Sequence, residues 1–106
     1  LTAQDRREIE ALYQQGLEAL QQKRNDDAVR YFEIVWSRDP GHSRVAEYLK
    51  REYLTRGLEA FASGRLRDAV ALWEQALRVD PKDDRTRAYL ARAQEHLART
   101  SAIGGR

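Results

Sequence analysis

An all-α solenoid is the fold class predicted by three features of the 106-residue sequence. First, the 29-residue stretch from Leu12 to Pro40 recurs without a gap, 41 residues later, as Tyr53 to Pro81, with eleven of the 29 pairs identical. The identities include Gly16/Gly57, Asp27/Asp68, Ala28/Ala69 and the dipeptides Asp39-Pro40/Asp80-Pro81. A unit that recurs with its glycine, small residue and proline in register is a supersecondary element that buries its apolar face by stacking on a neighbour. Second, apolar residues fall at three- and four-residue spacing through each long segment, the period of one helix face. Third, the two prolines lie where a helix would stop anyway, so the intervening segments are free to be helical.

The elements follow in order. Thr2, with Asp5 three residues on, has the pattern of an N-terminal capping box, and Ile9, Leu12, Tyr13, Gly16, Leu17 and Leu20 form the apolar stripe of a first helix over about Ala3 to Gln22. Lys23-Arg24-Asn25 interrupts it; Asn25 is a candidate cap, and Asp26 and Asp27 favour the positive end of a second helix carrying Ala28, Val29, Phe32, Val35 and Trp36. Asp39-Pro40-Gly41 ends that helix. The third starts near Ser43 and runs to Ser63, with Gly64 closing it. The fourth, about Leu66 to Val79, repeats the second. The fifth, about Asp84 to Thr100, matches the start of the third and then turns polar, with Gln94, Glu95 and Arg99 where the third has Tyr53, Leu54 and Leu58. That change is expected of a terminal helix with one side in water. Ser101 to Arg106 reads as a frayed tail. One domain over residues 1–100 is expected, with repeat one at about 3–40, repeat two at about 43–81 and a terminal helix at about 84–100.

Composition narrows the function classes. With 42% hydrophobic and 34% charged residues of both signs, the chain reads as a folded helical surface rather than as disorder. It has no cysteine, hence no disulfide scaffold or thiolate metal site, and no apolar run approaches the roughly 20 residues of a membrane span. A soluble chain is expected, and cytoplasm and periplasm are equally compatible with it. A sequence that begins at Leu1 and contains no methionine reads as a piece of a longer protein. Sixteen of the 19 basic residues are arginine, but 17 acidic residues nearly cancel them, and pairs such as Arg30-Glu33, Arg44-Glu47 and Arg92-Glu95 decorate helix faces as solvated charge usually does. Nucleic-acid binding is therefore not expected. Charge is still uneven, −2 over residues 1–43 and +4 over residues 85–106.

No constellation for catalysis or cofactor binding emerges. His42 and His96 have no histidine or carboxylate at metal-ligand spacing and read as surface residues. Ser37, Ser43, Ser63 and Ser101 fall at helix ends, where a hydroxyl can cap, and Asp26-Asp27 and Asp83-Asp84 suit the helix dipole. There is no glycine-rich phosphate loop. An enzyme is not expected, nor a metal or cofactor. Glycine inside a helix costs about 1 kcal/mol relative to alanine, so Gly16 and Gly57 call for a compensating gain, which close approach of the partner helix at Ala28 or Ala69 would supply, with Phe32 and Trp73 filling the space one turn on.

Gly16, Ala28, Phe32, Val35 and Pro40, matched in order by Gly57, Ala69, Trp73, Ala76 and Pro81, resemble the tetratricopeptide repeat. Its usual period is about 34 residues. The longer period here falls within the third helix and reads as a long-helix variant, with about two extra turns or roughly 10 Å. The resemblance implies a right-handed α–α superhelix of five antiparallel helices, two repeats plus a capping helix. Helices one, three and five would line a concave groove for a peptide or helix of a partner protein. Carried over by position, the groove residues would be Glu10, Tyr13, Leu17 and Gln21, then Arg51, Leu54, Leu58 and Ala62, then Arg92, Glu95 and Arg99. The other reading of the apolar members is that they pack the next helix. The lysine and asparagine pair with which some members hold a terminal carboxylate is missing, because Tyr13/Leu17 and Leu54/Leu58 occupy those places. Arginine replaces Glu10 at Arg51 and Arg92, and Arg99 replaces Leu17 and Leu58, which favours an acidic partner segment. An acidic first end and a basic last end also suit head-to-tail self-association, the alternative to a partner-binding module.

Overall fold

The computed structural model describes residues 1–104, and these form five α-helices with no strand. They are α1 (Ala3–Gln21), α2 (Asn25–Arg38), α3 (Ser43–Ala62), α4 (Leu66–Val79) and α5 (Asp84–Gly104). The chain divides into two compact units, Leu1–Leu49 and Lys50–Arg106. The division falls inside α3.

In the first unit the capping box is formed. The Asp5 N–H donates to the Thr2 hydroxyl and the Thr2 N–H to Asp5 Oδ2, both at 3.0 Å, an arrangement worth about 1 kcal/mol. The α1–α2 turn satisfies the last carbonyls of α1: Lys23 N–H donates to Leu20 and Arg24 N–H to Ala19, at 2.9 and 2.8 Å. This Schellman geometry needs a left-handed residue between the helices, and Lys23 supplies it with φ 61°. Arg24 is then both the end of the turn and the N-cap of α2, without a capping side chain. Asn25 is the first helical residue rather than the cap, because the tight turn leaves no residue spare.

Ile9, Ala19, Ala28, Val29, Phe32 and Val35 are buried along the facing sides of α1 and α2. At the far end of the pair Arg38 reaches Glu8 at 2.9 Å and Asp5 at 3.4 Å, which fixes α2 antiparallel to α1. Gly16 is buried against the Phe32 ring, and a Cβ at Gly16 would overlap that ring. The glycine therefore makes room for the aromatic side chain one turn beyond the buried Ala28. The indole of Trp36 is half-buried on the same helix.

The second unit repeats the device with stronger chemistry. Gly57 faces the Trp73 indole, and a Cβ there would lie 2.6 Å from Trp73 Cδ1. The indole Nε1–H donates to the Leu54 carbonyl of α3 at 3.2 Å, so the bare glycine lets a buried tryptophan satisfy its one polar atom on backbone. Ala60, Ala69, Trp73 and Ala93 form the core, with Leu54, Phe61, Val70, Leu72, Tyr89 and Leu90 packed on it. The α3–α4 turn has the same Schellman bonds, Gly64 N–H to Phe61 and Arg65 N–H to Ala60, and here the left-handed residue is Gly64, φ 78°.

α5 runs to Gly104, past the expected end at Thr100. Ser101, Ala102 and Ile103 contain no helix breaker, so the helix continues instead of fraying. Gly105 and Arg106, the rest of the expected tail, lie outside the described residues. One ion pair differs from expectation, and another is formed that was not expected. Glu95 pairs with Arg99 at 3.3 Å, not with Arg92, and Arg30 pairs with Asp27 at 3.0 Å. In both the acid precedes the arginine by three or four residues, the orientation that the helix dipole favours.

Two outcomes follow for thermal unfolding monitored by circular dichroism. Gly57→Leu is expected to destabilise by several kcal/mol, because its side chain must displace the Trp73 indole, and Trp73→Ala by about 3–5 kcal/mol; a Gly57→Leu protein melting with the parent overturns the interlock. Lys23→Gly is expected to stabilise by about 1 kcal/mol through relief of the left-handed strain, and Gly64→Lys to do the reverse.

Candidate partner-binding faces

On α1 the residues Glu10, Tyr13, Leu17 and Gln21 follow one another at spacings of three and four and form a single stripe. Three are exposed. Tyr13 is half-buried, its ring 5.8 Å from Phe32 and 4.7 Å from the imidazole of His42. Leu17 is 37% exposed and borders a shallow depression with Gln14, Glu18, Gln21 and Gln22. Glu10 accepts a hydrogen bond from Gln14 at 2.9 Å, so its carboxylate is held along the stripe.

In the second unit Arg51, Leu54, Leu58 and Ala62 make the corresponding stripe of α3. Its members divide in role. Leu54 packs on the core and lends its carbonyl to Trp73, whereas Leu58 is 43% exposed, and Arg51 and Ala62 are exposed. On α5 Arg92, Glu95 and Arg99 are all exposed, with Glu95 held by Arg99. α3 and α5 meet edge to face at Phe61 and His96, whose rings are 5.5 Å apart. Phe61 lies one turn beyond Leu58, and His96 lies between Arg92 and Arg99.

The helices that carry these stripes are held by their first turns. The Asp83 carboxylate precedes α5, accepts the Arg85 N–H at 3.2 Å and the Thr86 hydroxyl at 2.9 Å, and Thr86 itself is fully buried. Lys50 of α3 reaches Asp80 at 3.0 Å and Asp83 at 3.9 Å, which ties α3 to the turn before α5. Burial raises the Asp83 carboxyl, but the Thr86 hydroxyl, the Lys50 ammonium and the backbone N–H groups outweigh it and leave it below its ordinary value.

His42 holds the same place before α3. Its Nδ1 accepts the Val45 N–H at 3.3 Å, so it is a half-buried capping residue and not the plain surface residue expected. Its own context does not signal this role. Alignment of the two repeats does, because Asp83, an ordinary cap, stands 41 residues on. The Lys50 bridge has no sequence signal, since its partners lie thirty or more residues away.

Residues 54–102, which span the second half of α3, α4 and most of α5, match the family described as Tetratricopeptide repeat. No curated protein and no solved structure matches the chain.

Because Asp83 is held below its ordinary value, its contribution to stability is complete above about pH 3.8 and is lost as acid carries the pH through its lower folded value. Asp83→Asn is expected to flatten the acid limb of the stability curve, read as melting temperature from pH 6 down to about pH 2.5. An unchanged limb removes Asp83 from the account.

Proposed function

We propose that this chain, whose residues 54–102 are tetratricopeptide repeat sequence, is a protein-interaction module that receives partner segments on the exposed stripes of α1 and α3. The observation that carries the reading is that Leu17 and Leu58, equivalent in the two repeats, both stay exposed while their helices bury Ala19 and Ala60 two residues on. A single exposed leucine needs no explanation. One kept at the same place in both copies, in a surface otherwise rich in charge, fits an apolar contact made with something else.

Each unit offers its own chemistry. The α1 stripe sets Tyr13 and Leu17 between Glu10 and Gln21, suited to an apolar side chain with a polar flank. The second unit adds Arg92 and Arg99 on α5 to Leu58 on α3, and the arginines suit carboxylates of an acidic segment. Head-to-tail self-association is the second reading, favoured by a net charge of −2 over residues 1–43 and +4 over residues 85–106. Such charge-driven contact weakens with salt, which light scattering detects, whereas an apolar contact does not.

The test compares Leu17→Glu/Leu58→Glu with Ile34→Glu, which alters an exposed apolar residue of α2 that is glutamine in the other repeat. Surface changes of this kind are expected to leave the melting temperature nearly unaltered. The double variant is expected to lose the protein that the parent chain retains from a cell extract, and the Ile34 variant to keep it. Equal retention by all three moves the contact to another face.

A further inference from the structure

We propose that His42 is a proton-sensitive cap: uptake of one proton by its imidazole releases the first turn of α3, and with it the support under Tyr13, so that the unit Leu1–Leu49 loosens in mild acid. The inference concerns the unit's stability and does not depend on what the module binds.

The chemistry follows from the hydrogen bonds. His42 is the residue before α3; its carbonyl accepts the Ala46 N–H at 3.0 Å and its own N–H donates to the Asp39 carbonyl at 3.0 Å. The side chain then turns back, and Nδ1 takes the Val45 N–H, one of the orphan donors of a helix start. Only an unprotonated Nδ1 can accept; the imidazolium is a donor at both nitrogens. Protonation therefore sets two donors against each other at 3.3 Å and places a positive charge at the positive end of the α3 dipole. The ring also lies on Tyr13, centroid to centroid 4.7 Å and tilted by 44°, so a shift of the cap is felt at once on α1.

The charged side chains on the surrounding elements are Glu10 one turn before Tyr13 on α1, Arg38 at the end of α2, Asp39 in the turn, and Arg44 and Glu47 at the start of α3. Arg38 is engaged by Asp5 and Glu8. The Asp39 carboxylate beside Gly41 and the face of Tyr13 favour a cation nearby. Neither of them gives the Val45 N–H an acceptor. In the second unit the same place holds Asp83, a carboxylate that accepts from Arg85 and Thr86 and keeps its charge far below neutrality. One unit thus has a cap that fails in mild acid, and the other has one that does not.

The test is thermal unfolding of the full chain at pH 7.5 and pH 5.5, a span over which imidazoles ordinarily take up their proton. The parent is expected to melt roughly 4 °C or more lower at the acid pH, the size expected when a helix cap is lost from a domain this small. His42→Asn, a neutral acceptor, should melt alike at both, and His96→Asn should keep the parent's drop, the chain having only 2 histidines. A parent without the drop, or a drop that persists in His42→Asn, overturns the proposal. Should His42→Asn fail to fold, the parent still decides: the Val45 amide resonance is expected to move in one transition with the His42 ring resonances, and a Val45 amide that ignores that titration refutes the cap.

Discussion

The contact between a helical glycine and an aromatic ring from the next helix organises each half of this protein. Gly16 against Phe32 and Gly57 against Trp73 bring the paired helices to a distance at which Ala19 and Ala28, or Ala60 and Ala69, are fully buried. Neither component would be favourable alone. A glycine inside a helix weakens it, and a buried indole needs an acceptor. Together they satisfy each other, since the missing Cβ is what lets the Trp73 Nε1–H reach the Leu54 carbonyl. The stripes that carry Leu17 and Leu58 ride on the same helices, one residue beyond each glycine, so the interlock also sets which way those leucines face.

The two copies solve equivalent problems with different groups. Where the chain must turn left-handed after α1 it uses Lys23, and after α3 it uses Gly64. Where a helix start needs an acceptor it uses His42 before α3 and Asp83 before α5. Buried Ile9 in the first unit becomes half-buried Lys50 in the second, and there the ammonium finds Asp80 and Asp83. Backbone geometry is what the repeat keeps; the side chain that serves it varies, and with it the response of each unit to acid.

Much of this was legible beforehand. All five helices, the Thr2 capping box and the closing role of Gly64 follow from apolar spacing and local capping chemistry, which act over a few residues. What was not legible depends on contacts far apart in sequence or on the loss of a competing option. The glycines were expected to let the partner helix approach at Ala28 and Ala69 with the rings filling the space one turn on; that the ring atoms themselves lie nearest to each glycine is a closeness that spacing does not specify. Asn25 lost its expected place as a cap to the geometry of the turn before it. Of the residues carried over to a partner-binding face, Leu54 packs its side chain on the core while its carbonyl takes the Trp73 bond, a commitment that spacing alone does not distinguish from exposure at Leu58.

The interlocking partners are also neighbours along the chain, each glycine sitting 16 residues before its ring in both halves. Closing a loop that short carries a small entropic cost, and chains dominated by such local contacts fold fast. Either half can therefore start the process without waiting for the other, and no long unpaired segment has to remain exposed while distant parts of the chain find one another. For a segment that emerges from the ribosome one helix at a time, the first helix pair can be in place as soon as Phe32 is free to reach Gly16.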